Sequence, residues 1–144
     1  MTFPEPKPGL VLRYDYLWTH EAAAGRQQGK DRPVCLVAAT DDAVRPRYVV
    51  LLPITHTPPR GDTVGVEIPA KVKAFLGLDD ARSWVIVSEH NVDAWPNAGL
   101  SPVQGRGGDF AYGFIPPGLF ARIKAEFVAL ARSRKSGAVR RDTA

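Results

Sequence analysis

The sequence has a single cysteine, no long apolar run and no excess of charge outside its last residues. One cysteine, Cys35, excludes an internal disulfide, and its place in the apolar run VCLVAA predicts a buried, unreactive thiol. No apolar run approaches the ~20 residues that span a bilayer. The N-terminal stretch MTFPEPKPGL has prolines and an acid where a signal peptide needs a basic patch and an apolar core. We therefore expect a cytoplasmic protein with no membrane association.

The net charge of +4 is concentrated at the C-terminal end of the 144-residue chain. From residue 132 onward there are five cations and one anion, so the remainder of the chain is balanced: Arg132, Arg134, Lys135, Arg140, Arg141 and Asp142. We expect a single domain over residues 1–131 and a basic, disordered tail over residues 132–144. Such a tail is either a solvated end or an arm that binds nucleic acid.

The hydrophobic pattern predicts a mostly β (α+β) domain. Strands are expected over residues 10–18, 33–39, 47–54, 63–69, 83–92 and 110–114, with one helical turn in the loop at EAAA. A short helix is predicted over residues 70–76, with Val72, Phe75 and Leu76 on one side and Gly77 at its end. A second helix opens at Pro116 and Pro117 and carries an apolar stripe formed by Leu119, Ile123, Phe127 and Leu130. Strands followed by a final helix are not the pattern of a βαβ fold.

Most motifs of enzyme chemistry are missing from the sequence. There is no CxxC, no HExxH and no calcium-loop cluster of carboxylates, so we predict neither a metal nor a cofactor. The glycine-rich GRGGD lacks the lysine and the strand-to-helix context of a phosphate loop. A Ser-His-Asp hydrolase stays open, although no serine lies in a nucleophile-elbow motif.

Two stretches stand out because each joins an apolar strand to a polar end. In GKDRPV, residues 29–34, three charges precede a valine-rich strand, and in LLPITHTPPR, residues 51–60, an apolar strand ends in Thr-His-Thr. Together they resemble the MazF/PemK family of bacterial toxin endoribonucleases, in which an Arg-Pro loop enters the second strand and a Pro-Ile-Thr-Ser segment closes the third. The resemblance covers about residues 8 to 130 and includes Gly9, Glu21 and the strand WVIVSEHN from Trp84.

The resemblance implies a fold, an activity and partners. The fold would be an SH3-like, partly open antiparallel β-barrel with a short inserted helix and a C-terminal helix, assembled as a homodimer. The activity would be that of the growth-inhibiting toxin of a type II toxin-antitoxin system, of the kind linked to plasmid maintenance. This toxin is a metal-independent endoribonuclease that cleaves single-stranded mRNA through a 2′,3′-cyclic phosphate. A cognate antitoxin, expected to be acidic and partly disordered, would inhibit it.

The candidate catalytic residues are Arg32, Thr55 and His56. RNA cleavage by its own 2′-hydroxyl needs a proton acceptor, a stabiliser of the charge on phosphorus and a proton donor for the leaving oxygen. Arg32 offers a planar fork that matches two phosphate oxygens, and Thr55 offers a hydroxyl to the same phosphate. If the second and third strands form a hairpin, these two residues lie at one rim of the sheet.

Each of these assignments has a plainer alternative. Arg32 is otherwise a solvated cation or half of a structural salt bridge, and Thr55 a strand-end hydroxyl bonded to local backbone. His56 stands where the family has serine, and it is a candidate base since histidine titrates near neutral pH. Because neighbouring strand residues face opposite ways, His56 is expected to point away from Arg32 unless the strand twists or ends there.

Further residues near the hairpin end are candidates for RNA binding: His20, Glu21, Lys30, Thr57 and Arg60. Glu89, His90 and Asn91 are interpreted as structural or dimer-related. The alternative function is a non-catalytic module that binds nucleic acid or protein on the same dimeric barrel.

Overall fold

The computed structural model describes residues 3–43, 45–133 and 135–141. These residues form eight strands and three helices. The strands are β1 (Leu10–Tyr16), β2 (Lys30–Ala39), β3 (Arg47–Thr55), β4 (Gly65–Glu67), β5 (Trp84–Ile86), β6 (Glu89–Trp95), β7 (Ala111–Phe114) and β8 (Gly137–Arg140), and the helices are α1 (Thr19–Ala23), α2 (Ala70–Leu76) and α3 (Pro117–Arg132). Over this described part of the chain, no helix combines the length and the apolar character needed to cross a membrane.

The strands form one curled, largely antiparallel sheet that makes an open half-barrel. Its main order is β4-β5-β3-β2-β1-β7, and β6 pairs with both β3 and β8. Strand β3 is the centre of the curl, because β6 pairs with its first half and β5 with its last two residues. The predicted mostly β fold class, with an open antiparallel barrel, an inserted helix and a C-terminal helix, is confirmed.

The central strands are buried on both faces, as their unbroken apolar runs predicted. The buried apolar side chains of the described residues include two hydrophobic clusters. Successive side chains of β3 point into different ones, with Leu51 in the first and Leu52 in the second. Helix α3 covers the second of these clusters with Ile123 and Phe127, two members of the predicted apolar stripe. Cys35 is fully buried in the same cluster, and this burial raises the pKa of its thiol to about 12.

Strand β2 begins three residues earlier than predicted, so the expectation of a loop at Lys30 to Arg32 is wrong. These residues pair with β1, with Tyr16 opposite Lys30 and Tyr14 opposite Arg32. Charged side chains are tolerated because this end of the strand lies at the rim of the sheet. Pro33 is therefore not the first residue of the strand. It lacks a ladder donor, but β2 pairs with β3 only from Val34 onward.

Helix α2 has the predicted bounds, and Gly77 ends it in the left-handed conformation at φ 72°. Its predicted apolar side is partly wrong, since Phe75 is 73% exposed. Leu76 and Lys73, three residues apart, instead face the interior, and Lys73 is only 4% exposed.

The predicted strand over residues 83–92 is two strands, β5 and β6. Strand β6 extends to Trp95, into the segment predicted as loop, because it pairs with β3 from Arg47 to Leu51.

The C-terminal segment is structured, so the expectation of a disordered tail from residue 132 is wrong for residues 137–141. Strand β8 lies parallel to β6, with Val139 opposite Asn91. Arg141 continues beyond it and inserts a side chain that is 3% exposed. The sequence did not indicate this strand, because GAVR has no local pattern and its partner lies far away in the chain. Arg134 and residues 142–144 of the predicted tail lie outside the described residues.

Candidate active site at the end of the β2–β3 hairpin

The β2–β3 hairpin brings the two quoted stretches of sequence together. Val34 pairs with Pro53, so the beginning of β2 lies beside the end of β3. Two adjoining clefts open at this rim, with volumes of about 230 Å³ and about 510 Å³. Lys30, Arg32 and Thr55 line both of them. Arg32 and Thr55 thus face shared open space, as the hairpin argument expected.

Arg32 is held by packing. Its guanidinium carbon lies 5.1 Å from the centroid of the Trp18 ring. Its Nε atom is buried and has no hydrogen-bond partner among the described residues. Burial lowers the pKa of the group, while the nearby Glu21 and Tyr16 oppose that change. The alternative of a structural salt bridge finds no support in the described part of the chain, where Arg32 forms no ion pair.

Thr55 is the last residue of β3, and its hydroxyl has one local contact. Its Oγ1 accepts a hydrogen bond from the N–H of Thr57 at 3.1 Å. This is the local bond that the plainer alternative expected. Because the hydroxyl oxygen is the acceptor there, its proton can still be donated to another oxygen.

His56 lines the smaller cleft together with Arg32. The alternation of side chains stops at Thr55, where β3 ends, so the exception allowed in the sequence argument applies. The His56 side chain is 60% exposed, and its Nε2 lies 3.0 Å and 2.8 Å from Oδ1 and Oδ2 of Asp79.

The larger cleft is lined by all five residues predicted to bind RNA: His20, Glu21, Lys30, Thr57 and Arg60. Glu21 also has local roles, since it accepts hydrogen bonds from the Trp18 N–H at 3.0 Å and from Arg26 Nη1 at 2.8 Å.

Trp18 is a site residue that the sequence argument missed. Its ring and that of His20 lie nearly parallel, with centroids 6.4 Å apart and planes inclined by 21°. Both rings line the larger cleft beside Arg32. Flat rings next to cations form a surface on which a nucleic-acid base can stack. The signal was present, because a tryptophan directly before a polar loop is often exposed in part.

Lys73 and Asp79 are two further missed residues, both lining the smaller cleft. Lys73 Nζ donates to Asp79 Oδ1 at 2.7 Å, to Ser83 Oγ at 2.7 Å and to the carbonyl of Ala81. The hydrogen bond from Lys73, together with the charges of His56 and Lys73, lowers the pKa of Asp79. Asp79 is therefore ionised at neutral pH. No sequence motif links these positions, so only the fold reveals the cluster.

Glu89, His90 and Asn91 have structural contacts. Glu89 lines the larger cleft, but its Oε2 accepts from the Tyr16 hydroxyl at 2.9 Å and from the Thr19 N–H at 3.0 Å. Asn91 is fully buried and forms two hydrogen bonds with the Leu17 backbone. His90 Nδ1 lies 2.9 Å from Ser136 Oγ, and burial lowers the pKa of this histidine.

The clefts contain no preformed metal cage. Within residues 3–43, 45–133 and 135–141, no three His, Cys, Asp or Glu side chains are grouped closely enough to hold a metal ion. The donors at the hairpin end are instead a guanidinium, an ammonium, a hydroxyl and an imidazole, which suit an anion such as a phosphate.

A scan of the sequence against protein-family models gives no match, and a search of the curated proteins gives none either. The features that bear on function are therefore the geometry of the hairpin end and the sequences of residues 29–34 and 51–60.

Proposed function

We propose that this chain is an endoribonuclease toxin of the MazF/PemK kind, acting as the toxin of a type II toxin-antitoxin system. It cleaves single-stranded RNA without a metal ion, by attack of the 2′-hydroxyl on the adjacent phosphate, and leaves a 2′,3′-cyclic phosphate. The observation that supports it most is the half-buried Arg32, which faces an open cleft beside Thr55 and whose Nε has no partner within the described part of the chain.

The arrangement of Arg32 and Thr55 fits the charge that develops in this reaction. The phosphorane formed by 2′-hydroxyl attack carries more negative charge on its oxygens than the ground-state phosphate does. A guanidinium that is already partly desolvated and packed over Trp18 stabilises that charge with little further reorganisation. The Thr55 hydroxyl can donate a second hydrogen bond to the same oxygens.

The larger cleft supports single-stranded RNA as the substrate. Its volume of about 510 Å³ lies within the range of small-molecule sites, so it can receive a nucleotide. Lys30 and Arg60 supply cations for the backbone, and the rings of Trp18 and His20 supply faces for an unpaired base. Bases in a duplex are already stacked and would not reach these rings.

The direct test is to incubate the purified protein with single-stranded RNA in the presence of a chelator and to identify the new ends. We expect a 2′,3′-cyclic phosphate and a 5′-hydroxyl. Arg32→Ala should slow cleavage by about 100-fold or more. Arg122→Ala, which removes an exposed arginine of α3 outside both clefts, should leave the rate unchanged.

The same pair of variants separates the enzyme from the non-catalytic binding module. A nuclease arrests growth when it is induced in bacteria, and Arg32→Ala relieves the arrest. RNA that binds the wild-type protein but stays intact, together with arrest that persists in Arg32→Ala, would favour the binding module.

We also propose that the protein is a homodimer inhibited by an acidic, partly disordered antitoxin. Among the described residues, four large apolar side chains are exposed and would be shielded from water if a second chain covered them: Phe3, Tyr48, Phe75 and Phe114. Light scattering at micromolar concentration should give twice the chain mass of 15.7 kDa. A monomeric mass would contradict the dimer and leave the nuclease assignment untouched.

A further inference from the structure

His56, Asp79 and Lys73 form a chain of charged contacts that leads from the open cleft to the interior. His56 is largely exposed at one end, Asp79 lies between, and Lys73 is buried at the other end. The Lys73 ammonium donates hydrogen bonds to Asp79, to Ser83 and to the carbonyl of Ala81. A buried ammonium with three acceptors is rigid, so the carboxylate it binds is also fixed.

The fixed carboxylate determines the state of the imidazole. In neutral histidine one ring nitrogen is a donor and the other an acceptor. An ionised Asp79 at 2.8 Å from Nε2 can only accept, so the ring proton is held on Nε2 and the lone pair is left on Nδ1. Asp79 also stabilises the imidazolium that forms when Nδ1 takes up a proton.

We propose that Asp79, anchored by Lys73, is a positioning residue that makes His56 the proton acceptor of this cleft. The proposal rests on the proposed RNA cleavage and deepens it by assigning the base. In the step, the 2′-oxygen–phosphorus bond forms and the phosphorus–5′-oxygen bond breaks. The 2′-hydroxyl proton moves to Nδ1 of His56, and a water molecule supplies the proton of the leaving 5′-oxygen. His56 then returns its proton to solvent, to which it is exposed.

The other charges around His56 set the expected pH dependence. Lys30, Asp31 and Arg32 line the cleft from β2, and Lys73 and Asp79 line it from α2 and the segment that follows. The cations of β2 disfavour the imidazolium, and Asp79 favours it. Removing the Asp79 charge therefore takes away the carboxylate that orients the ring and stabilises its charged form.

The experiment compares pH–rate profiles for RNA cleavage in the wild type, Asp79→Asn, Asp79→Glu and Asp80→Asn. Asp80 is the matched control, because it is the adjacent exposed carboxylate and, in the described part of the chain, has no ion pair or hydrogen bond. In the wild type, kcat/KM should rise with pH to a plateau as His56 loses its proton. In Asp79→Asn the rising limb should shift to lower pH and the plateau should fall. Asp79→Glu should restore the limb, and Asp80→Asn should match the wild type.

A second measurement guards against a variant that only folds poorly. The ring-nitrogen chemical shifts of His56 report its tautomer and its titration without any substrate. The same downward shift of the His56 midpoint in Asp79→Asn, in a protein with native-like spectra, supports the proposal. His56→Ala should slow cleavage by about 100-fold or more.

The outcomes separate this inference from the proposed function. If the wild type cleaves and Arg32→Ala does not, while Asp79→Asn has the wild-type profile, the positioning role is overturned and the nuclease stands. A wild-type protein that yields no cyclic phosphate at any pH overturns both.

Discussion

The Nε atom of Arg32 is buried and finds no hydrogen-bond partner among the described residues, which is an unfavourable state for a polar group. A buried donor without a partner costs about 1–3 kcal/mol, whereas stacking of an arginine on an aromatic ring returns about 0.5–1 kcal/mol. The sum makes Arg32 neutral or destabilising for the fold. Residues of this kind are retained where function needs them.

Replacing Arg32 should therefore separate activity from stability. We expect Arg32→Met to reduce RNA cleavage by about 100-fold or more, while the free energy of unfolding stays the same or rises by about 1 kcal/mol. Urea unfolding and the cleavage assay measure the two effects, with Arg122→Met as a control expected to change stability by about 0.5 kcal/mol or less. A clear loss of stability in Arg32→Met alone would show that the residue is structural.

The buried Tyr16 should make the free energy of unfolding depend on alkaline pH. It is fully buried and donates to Glu89, and its burial, together with the charge of Glu89, raises its pKa. The folded protein keeps this proton at a pH where the unfolded chain, with a tyrosine pKa of about 10, releases it. The contribution of Tyr16 to the free energy of unfolding is therefore fully present below about pH 10 and declines as the pH rises above it.

We expect the free energy of unfolding to fall between about pH 9 and about pH 11, and to fall less steeply in Tyr16→Phe. Urea titrations across this range test it, with Tyr48→Phe, at an exposed tyrosine, as the control. Equal slopes in the wild type and Tyr16→Phe would contradict the linkage.

Among the elements, α2 matters most to the site because it carries Lys73. Two features hold the C-terminal end of this helix in place. Gly77 adopts φ 72°, and Arg106 donates one hydrogen bond to the Leu76 carbonyl and another to the Tyr112 carbonyl, each at 2.8 Å. A Cβ at Gly77 would collide with the Arg106 guanidinium. The end of the helix is therefore tied to the loop before β7.

Gly77→Ala should destabilise the protein by more than backbone strain alone. Left-handed strain costs about 1–2 kcal/mol, and displacement of Arg106 adds the loss of its two hydrogen bonds. Gly105→Ala is the matched control, since Gly105 has φ 76° and open space around it. Thermal or urea unfolding should show a larger loss for Gly77→Ala, and equal losses would show that Arg106 adds nothing.

The elements also show which features a sequence can predict. The bounds of α2 were predictable because a glycine stop is a local signal, and so was the β2–β3 hairpin, with two apolar runs around a short turn. The hairpin alone was enough to place Arg32 beside Thr55. Lys30 to Arg32 were misassigned because charges imitate a loop when the partner strand is unknown.

The remaining features depend on contacts that no local sequence pattern announces. Trp18 lies beside Arg32 because β1 pairs with β2, and Lys73 reaches Asp79 and Ser83 because the chain turns back after α2. Strand β8 has no signal of its own, since four residues pair with β6 only through tertiary contact. Propensity and periodicity describe neighbours in sequence and carry no information about such pairs.

On the scale of the whole molecule, Arg141 joins the C-terminal segment to the first strands of the sheet. Its guanidinium donates to the side chain of Asn91 at 3.0 Å, to the backbone carbonyl of Asp15 and to Gln27, and it lies against the Tyr14 ring. Asp15 in turn accepts from the Gly29 N–H at 2.7 Å, just before β2. Through Asp15, Arg141 thus supports the loop that leads to Arg32.

We expect Arg141→Ala to lower the free energy of unfolding by about 1.5–3 kcal/mol, because buried acceptors lose a charged donor. Arg140→Ala removes the same charge from the neighbouring exposed position and should change stability by about 0.5 kcal/mol or less. Chemical denaturation of both variants tests this. Similar small effects in the two would mean that residues 137–141 contribute little to the fold.

The contact between Arg141 and Asp15 spans 126 positions of the chain. Closing such a large loop is slow, so this step is expected late in folding, after the hairpins have formed. During synthesis, every residue of the clefts leaves the ribosome before residue 141 does. The nascent chain thus carries every residue of the clefts before it carries the guanidinium that braces them, and the fully braced site would exist only once translation has passed that point.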